Sequence, residues 1–173
     1  MVTITVSGTP GSGKSTIACM LKERLNIPYI YSGMIFRSLA EMHHMSLADF
    51  GRYCEQHEEV DQELDDKQLE FLRKGNVIVE GRLAGWLAYL HGISAFKVMI
   101  DADVSIRAQR VVEREQGTVE QRKQEIINRE ESEWKRYKKY YDIDLRDTSI
   151  YDLVIDSSSK NPEEVMERII SCL

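Results

Sequence analysis

A short glycine-rich segment near the start of the chain most limits what this sequence can fold into. Residues 8–15 read Gly-Thr-Pro-Gly-Ser-Gly-Lys-Ser, which matches the pattern G-x-x-x-x-G-K-[ST]. An alternating apolar run at 2–6 precedes the segment, and residues 16–21 continue it with a helix-forming run. Strand, loop and helix in this order present backbone N–H groups to phosphate oxygens at a helix N-terminus. The segment therefore predicts an α/β fold that binds a nucleotide.

The loop also predicts which residues bind that nucleotide and its metal ion. Lys14 would reach the β- and γ-phosphates, and the Ser15 hydroxyl would hold Mg²⁺, the expected cofactor. The full predicted nucleotide-binding set is Gly8, Thr9, Pro10, Gly11, Ser12, Gly13, Lys14, Ser15 and Thr16. A chance match to the pattern in a chain of this length has a probability of roughly 1%, so the match indicates a functional loop.

The composition indicates one globular domain and excludes several classes of partner. The chain has 173 residues, of which 42% are hydrophobic and 30% charged, and this length suits one domain with its own core. No apolar run approaches membrane-spanning length and no cationic leader is evident, so we expect a cytoplasmic protein without membrane contact. The net charge of −6 argues against a nucleic-acid polymer as ligand. Cys19, Cys54 and Cys172 are too widely spaced to predict a disulfide framework or a zinc site.

Five apolar runs predict strands that alternate with helical segments. They lie at 2–6, 28–31, 76–80, 96–101 and 151–156. Strands that alternate with helices form parallel sheets, so the predicted fold class is α/β, with a five-stranded parallel sheet flanked by helices. The stretch 46–74 predicts two successive helices that project from this sheet. Thr118 with Gln121 resembles a capping box at the start of one helix. Asn161 predicts the N-cap of the last helix, because a proline and two acidic residues follow it in the first turn.

Four further patterns occur in order along the chain. They are Y-S-G-M-I-F-R at 31–37, E-G-R-L-A-G-W at 80–86, D-A-D at 101–103 followed by Arg107 and Arg110, and R-E-E-S-E-W-K-R at 129–136. Together with the loop, they resemble the cytidylate kinases in their short archaeal form, within the P-loop nucleoside monophosphate kinase family. The resemblance covers essentially the whole chain, and its most specific element is S-G-x-x-[YF]-R, matched by Ser32, Gly33, Phe36 and Arg37.

This resemblance implies an activity and a division of the chain. The family transfers the γ-phosphoryl group of ATP to CMP or dCMP, giving the diphosphate and ADP. We therefore expect a core formed by 1–31, 76–118 and 148–173, a small helical part at 32–75 that binds the nucleoside monophosphate, and a short lid at 119–147. The expected partners are small nucleotides only, and we expect a monomer.

The resemblance also implies roles for individual residues. The acceptor-binding set would be Ser32, Gly33, Arg37, Gly81, Arg82, Arg107, Arg110 and Glu133, and the catalytic set Lys14, Arg129 and Arg136. Arginine suits these roles because its planar guanidinium stays charged and binds phosphate oxygens in pairs.

Two positions depart from the pattern of the family. Glu133 replaces the aspartate that faces the ribose of the acceptor, and Leu83 replaces an aspartate that helps to organise the cytosine site in bacterial members. The contacts that select the base are therefore not carried over, although Asp61 and Asp65 are candidates for them.

Several alternatives remain open from the sequence. The loop is shared by kinases for other small acceptors, such as AMP, UMP or shikimate, although the acceptor-side arginines favour a phosphorylated acceptor. A nucleotide switch would keep the loop, but the chain has no N-K-x-D motif and a switch does not need the lid arginines. Asp101 and Asp103 are candidates for assisting Mg²⁺, while Asp103 is also placed to cap the following helix.

Overall fold

Five parallel strands form the sheet at the centre of the protein. The computed structural model describes residues 2–54 and 56–173, with all their side chains except those of Ala48, Glu58 and Asp61. The strands are β1 (Ile4–Gly8), β2 (Tyr29–Tyr31), β3 (Ile78–Glu80), β4 (Phe96–Asp101) and β5 (Leu153–Asp156). Their order in the sheet is β2-β3-β1-β4-β5, and each pairing is parallel. The predicted α/β fold class is confirmed.

The first strand ends two residues later than its apolar pattern predicts. Ser7 and Gly8 continue the pairing with β4, opposite Met99 and Ile100. The alternating pattern stops at Val6, because a serine and a glycine carry no apolar signal. The extension places the start of the glycine-rich loop at the carboxyl edge of the sheet, where open α/β proteins bind ligands.

Eight helices surround the sheet within the described ranges. They are α1 (Lys14–Leu25), α2 (Ser32–Met42), α3 (Leu47–Cys54), α4 (Glu58–Lys74), α5 (Ala84–Leu90), α6 (Val104–Glu115), α7 (Val119–Tyr141) and α8 (Pro162–Ile170). The predicted N-caps begin α7 at Thr118 and α8 at Asn161, and in the structure both form capping boxes. The stretch 46–74 contains the two predicted helices, α3 and α4. Among the described residues, no helix combines the length and the hydropathy that crossing a membrane requires.

Four apolar clusters hold these elements together in the described part of the chain, and the smallest packs α6 against α7 through residues such as Val111 and Ile126. On one face of the sheet, α1 and α8 bury residues such as Leu21 and Ile169. On the other face, α4, α5 and α7 pack around residues such as Leu72 and Leu87. The helices α2, α3 and α4 form a separate small core around Phe50, which is fully buried. Because α4 belongs to two clusters, it joins the helical part at 32–75 to the sheet.

Candidate active site

The glycine-rich loop connects β1 directly to the N-terminus of α1. Gly13 is the N-cap residue of α1 and has a φ of 92°, a left-handed conformation that costs glycine little. Its carbonyl accepts a hydrogen bond from Ile17 N at 3.1 Å, so the helix begins directly after the loop. The first backbone N–H groups of α1 have no partner within the helix and carry its positive dipole end. The loop and this N-terminus together form an anion-binding site.

Lys14 adds a positive charge to this loop. Its Nζ donates to the carbonyl of Thr9 at 3.3 Å, so the side chain folds back over the loop. Although the residue keeps intermediate exposure, its pKa is lowered from 10.5 to about 8. Desolvation by burial is the largest cause, and the nearby Arg82 guanidinium lowers the pKa further, while Glu80 opposes the shift. The lowered pKa shows that the charged form of Lys14 is disfavoured here, and a bound triphosphate would supply the negative charge that favours it.

Ser15 is paired with a buried acid that the sequence analysis did not identify. Its hydroxyl donates to Glu80 Oε1 at 2.7 Å, and Tyr29 OH donates to the other oxygen of the same carboxylate. Glu80 is fully buried at the end of β3. Burial and the hydrogen bond to Glu80 raise the pKa of Tyr29 well above its ordinary value. The only sequence signal for Glu80 was an acidic residue at the end of an apolar strand, directly before Gly81 and Arg82.

A hydroxyl and a carboxylate form a donor set that fits Mg²⁺. Ser15 and Glu80 present hard oxygen atoms beside the loop, and oxygen ligands are the ones this ion prefers. The two aspartates considered from the sequence have other partners. Asp101 accepts from Thr9 Oγ1 at 2.6 Å, which pins the loop to β4. Asp103 accepts from Ser105 N at 2.8 Å and is the N-cap of α6.

A charged cluster links α7 to the turn between β3 and α5. Arg82 donates through Nε to Glu133 and through Nη1 to the carbonyl of Gly8 at 2.8 Å. On the same helix as Glu133, Arg129 donates to the second carboxylate oxygen at 2.8 Å. Glu133 is 6% exposed. The Glu133 carboxylate is therefore held between Arg82, which follows β3, and Arg129 of its own helix.

The arginines keep Glu133 ionised despite its burial. Desolvation alone would raise the pKa of this carboxyl, but the charges of Arg82, Arg129 and Arg136 outweigh it and lower the pKa to about 2. In return, Glu133 raises the pKa of Arg129. A carboxylate among three guanidinium groups occupies the kind of environment in which a phosphate binds.

The cluster borders a cavity of about 550 Å³ that is lined by the helices at 32–75, the turn after β3 and α7. This volume lies within the range of small-molecule sites. Of the predicted acceptor-binding and catalytic residues, the cavity is lined by Ser32, Gly33, Arg37, Arg82, Arg129, Glu133 and Arg136. Leu83 also lines it, and Gly81 lies in the adjoining turn against Ser32. The structure therefore brings together residues from β2–α2, β3–α5 and α7 around one space.

Two predicted acceptor ligands lie elsewhere. Arg107 donates to the carbonyl of Pro10 at 3.1 Å and pairs with Glu130 at 2.8 Å. Arg110 donates to the carbonyl of Ser12 at 3.3 Å. Neither is among the described residues that line the cavity. Their helix, α6, follows β4, whereas β3 and the cavity lie on the other side of β1, so both arginines contact the loop instead.

Of the two residues considered for selecting the base, the structure describes the side chain of only one. Asp65 lines the cavity and is buried. The side chain of Asp61 lies outside what the structure describes.

Solved structures share this fold at low sequence identity. The TM-score is 0.73 against an uncharacterized protein from Eubacterium ventriosum, at 19% identity and with 99% of this chain and 97% of that chain covered. Against a shikimate kinase from Bacteroides thetaiotaomicron, the TM-score is 0.61 at 16% identity, with 98% of this chain and 96% of that chain covered. Identities this low establish the fold alone.

Sequence relatives establish the family. Residues 3–159 match the model of the cytidylate kinase-like family. The chain is 43% identical over 171 residues to a cytidylate kinase from Methanocaldococcus jannaschii, with 98% of this chain and 96% of that protein covered. It is also 43% identical over 162 residues to a cytidylate kinase from Pyrococcus horikoshii, with 94% of this chain and 83% of that protein covered. The chain therefore belongs to the cytidylate kinase-like family, which confirms the resemblance carried by its motifs.

Proposed function

We propose that this protein transfers the γ-phosphoryl group of ATP to CMP or dCMP, giving CDP or dCDP and ADP. The observation that carries the proposal is the arginine-lined cavity beside the phosphate-binding loop, with Arg82 in contact with both. An acceptor phosphate held by these arginines would lie next to the terminal phosphate of a nucleotide in the loop. The relatives named cytidylate kinase support a cytidine monophosphate as the acceptor.

The reaction needs no nucleophile from the protein. An oxygen of the acceptor phosphate attacks the γ-phosphorus, and the bond from that phosphorus to the β,γ-bridging oxygen breaks, which leaves ADP. Catalysis therefore consists of positioning and of charge compensation in a site that excludes water. We assign Lys14, Arg129 and Arg136 to the phosphoryl group in transfer, because their cations border the loop and the cavity.

The remaining predicted residues divide between the two substrates. Residues 8–16 bind the ATP phosphates, and Arg107 and Arg110 hold the loop in shape through the carbonyls of Pro10 and Ser12. The acceptor-binding set is Ser32, Gly33, Arg37, Gly81, Arg82 and Glu133. Arg37 is supported by its place in the cavity wall, where its guanidinium lies 6.0 Å from the centre of the Tyr31 ring.

The same contacts support the expected division of the chain. The helical part at 32–75 has its own small core and forms one wall of the cavity. The region 119–147 contains α7, which supplies Arg129, Glu133 and Arg136 to the other wall. We propose that these parts bind the monophosphate and close over it, respectively. A monomeric state stays a prediction.

Mg²⁺ is the cofactor we propose with ATP. Ser15 and Glu80 are the residues that would hold it. The Ser15 hydroxyl would bind the ion directly, and the Glu80 carboxylate would accept a hydrogen bond from that hydroxyl or from a water molecule on the ion. When bound with ATP, the ion neutralises charge on the β- and γ-phosphate oxygens. Tyr29 keeps the Glu80 carboxylate in one orientation through its hydrogen bond.

A Glu80→Gln variant is expected to need more metal than the wild type. The amide keeps the shape of the side chain but removes its charge, so the Mg²⁺ concentration for half-maximal rate should rise about 10- to 100-fold. Calorimetric titration of Mg²⁺ with ADP gives a second readout that does not depend on turnover. Glu63→Gln, on the exposed face of α4, is the matched control. An unchanged metal requirement in Glu80→Gln would remove Glu80 from the metal site.

The proposed function is tested by measuring ADP release across a panel of acceptors. CMP and dCMP should give the highest kcat/KM among CMP, dCMP, UMP, AMP and shikimate. If AMP were the best acceptor, the cytidylate assignment would be wrong although the kinase class would stand. ATP hydrolysis that no acceptor accelerates would instead support a nucleotide switch.

A further inference from the structure

One polar atom in the wall of the acceptor cavity lacks a partner within the described part of the chain. Gln68, on α4, is 1% exposed and lines the cavity. Its Oε1 is buried and has no hydrogen-bond partner among the described residues. Buried carbonyl oxygens are rarely left unpaired, because they lose their hydrogen bonds to water without replacement. An unpaired acceptor in a ligand cavity therefore indicates a donor that arrives with the ligand.

The orientation of this amide follows from its neighbours. Gln68 Nε2 donates to Asp65 Oδ1 at 3.1 Å, and Tyr141 OH donates to Asp65 Oδ2 at 2.6 Å. Both carboxylate oxygens of Asp65 accept in these hydrogen bonds, so the NH₂ group of Gln68, its only side-chain donor, faces Asp65. The carbonyl oxygen must then face the opposite way. The hydrogen bonds from Tyr141 to Asp65 and from Gln68 to Asp65 thus fix the Gln68 amide with its carbonyl oxygen turned away from Asp65. The opposite orientation of this amide is excluded.

The carbonyl oxygen of Gln68 lies against the turn at Gly81, which directly precedes Arg82. A Cβ atom at Gly81 would lie 2.7 Å from Gln68 Oε1 and 2.5 Å from Ser32 Oγ, so only glycine fits against these two side chains. Arg82 follows directly, and Leu83 and Leu64 line the same cavity. The cavity therefore has a phosphate-binding end with arginines and a neighbouring wall that combines apolar side chains with one oriented carbonyl.

We propose that Gln68, held by Asp65, selects the base of the acceptor nucleotide. Its carbonyl accepts a hydrogen bond from the 4-amino group of cytosine, whereas the 4-oxo group of uracil would place a second acceptor against it. The same carbonyl tolerates the 6-amino group of adenine, so the size of the cavity must exclude purines. This inference rests on the proposed function and adds the group that distinguishes CMP from UMP.

The decisive variant is Asp65→Asn, which reverses the direction of the hydrogen-bond chain. Tyr141 can still donate to the oxygen of the introduced amide, and the NH₂ group of that amide then donates to Gln68 Oε1. The Gln68 amide turns, and its own NH₂ faces the cavity, where it suits the 4-oxo group of uracil. We expect the ratio of kcat/KM for CMP to that for UMP to fall by about 10²-fold, with an absolute rise for UMP.

The matched control is Asp66→Asn on the same helix. Asp66 is exposed, so this control makes the same chemical change outside the cavity and should leave the ratio unchanged. Gln68→Met has nearly the same side-chain volume but lacks the carbonyl oxygen. It should lower kcat/KM for CMP and leave kcat/KM for UMP unchanged. If Asp65→Asn does not fold by circular dichroism, the Gln68→Met result decides.

The outcomes separate this inference from the proposed function. If Asp65→Asn and Gln68→Met lower the rates for CMP and UMP equally, the chain of hydrogen bonds is only structural and the inference is overturned, while the kinase assignment stands. If the wild-type protein phosphorylates neither pyrimidine nucleotide, the proposed function itself fails. A changed ratio in the Asp66→Asn control would also overturn the inference, because the effect would then be one of surface charge.

Discussion

Replacing Lys14 with alanine should lower kcat by about 10²-fold or more and leave the fold intact. The ammonium group lies over the loop that would hold the phosphates, and its charge is already positioned before any nucleotide binds. Removing one such preorganised charge typically costs on the order of 10²- to 10³-fold in turnover. Steady-state kinetics at saturating ATP and CMP, together with circular dichroism, would measure both effects.

The same variant should be no less stable than the wild type without nucleotide. The pKa of Lys14 is about 8 in the folded protein, against 10.5 as its ordinary value. Between these values the unfolded chain binds more protons, so stability contributed by this group rises with pH there. Below about pH 8 the buried charge costs its full amount, and alanine removes that cost.

An exposed lysine on the same helix serves as the control for Lys14. Lys22→Ala should retain wild-type kcat, because this side chain faces solvent on α1. A Lys14→Ala variant with wild-type turnover would remove the lysine from the mechanism. A variant that unfolds at pH 7 would contradict the stability argument, and Lys14→Met would then test the catalytic role with more of the side chain kept.

The parts of the fold that were predicted from the sequence depend on local signals. The loop at 8–15 has a motif, and the caps at Thr118 and Asn161 satisfy nearby backbone groups, so each can be identified from a few residues. The order of the strands has no such signal, because it depends on contacts between distant segments. The end of β1 at Gly8 was missed for the same reason, since its pairing with β4 compensates for a residue that weakens strands.

The site was predicted less completely than the fold. Motifs indicated Arg82 and Glu133, but their ion pair joins residues 51 positions apart and required the structure. Glu80 was missed because its role depends on Ser15 and Tyr29, which lie on two other elements. Arg107 and Arg110 were assigned to the acceptor because of the family pattern. Neither is among the described residues that line the cavity, because α6 lies beyond β4, a placement that residue spacing does not reveal.

Replacing Arg82 with lysine should weaken acceptor binding more than ATP binding. The guanidinium contacts Glu133 and the Gly8 carbonyl at the same time, through nitrogen atoms that point in different directions. A lysine ammonium keeps the charge but concentrates it at one point, so it cannot reproduce this fork or a paired contact with phosphate. We expect the KM for CMP to rise about 10-fold or more, with a smaller change in the KM for ATP.

The comparison of the two Michaelis constants distinguishes two roles for Arg82. If both rise equally, Arg82 acts through the Gly8 carbonyl and the shape of the loop, and its assignment to the acceptor is wrong. The control is Arg114→Lys on α6, where the arginine is largely exposed and both constants should stay at wild-type values. Glu133 should remain ionised in the Arg82→Lys variant, because the lysine and the neighbouring Arg129 still compensate its charge. A loss confined to CMP therefore reports the lost geometry of the guanidinium, since the net charge of the cluster is unchanged.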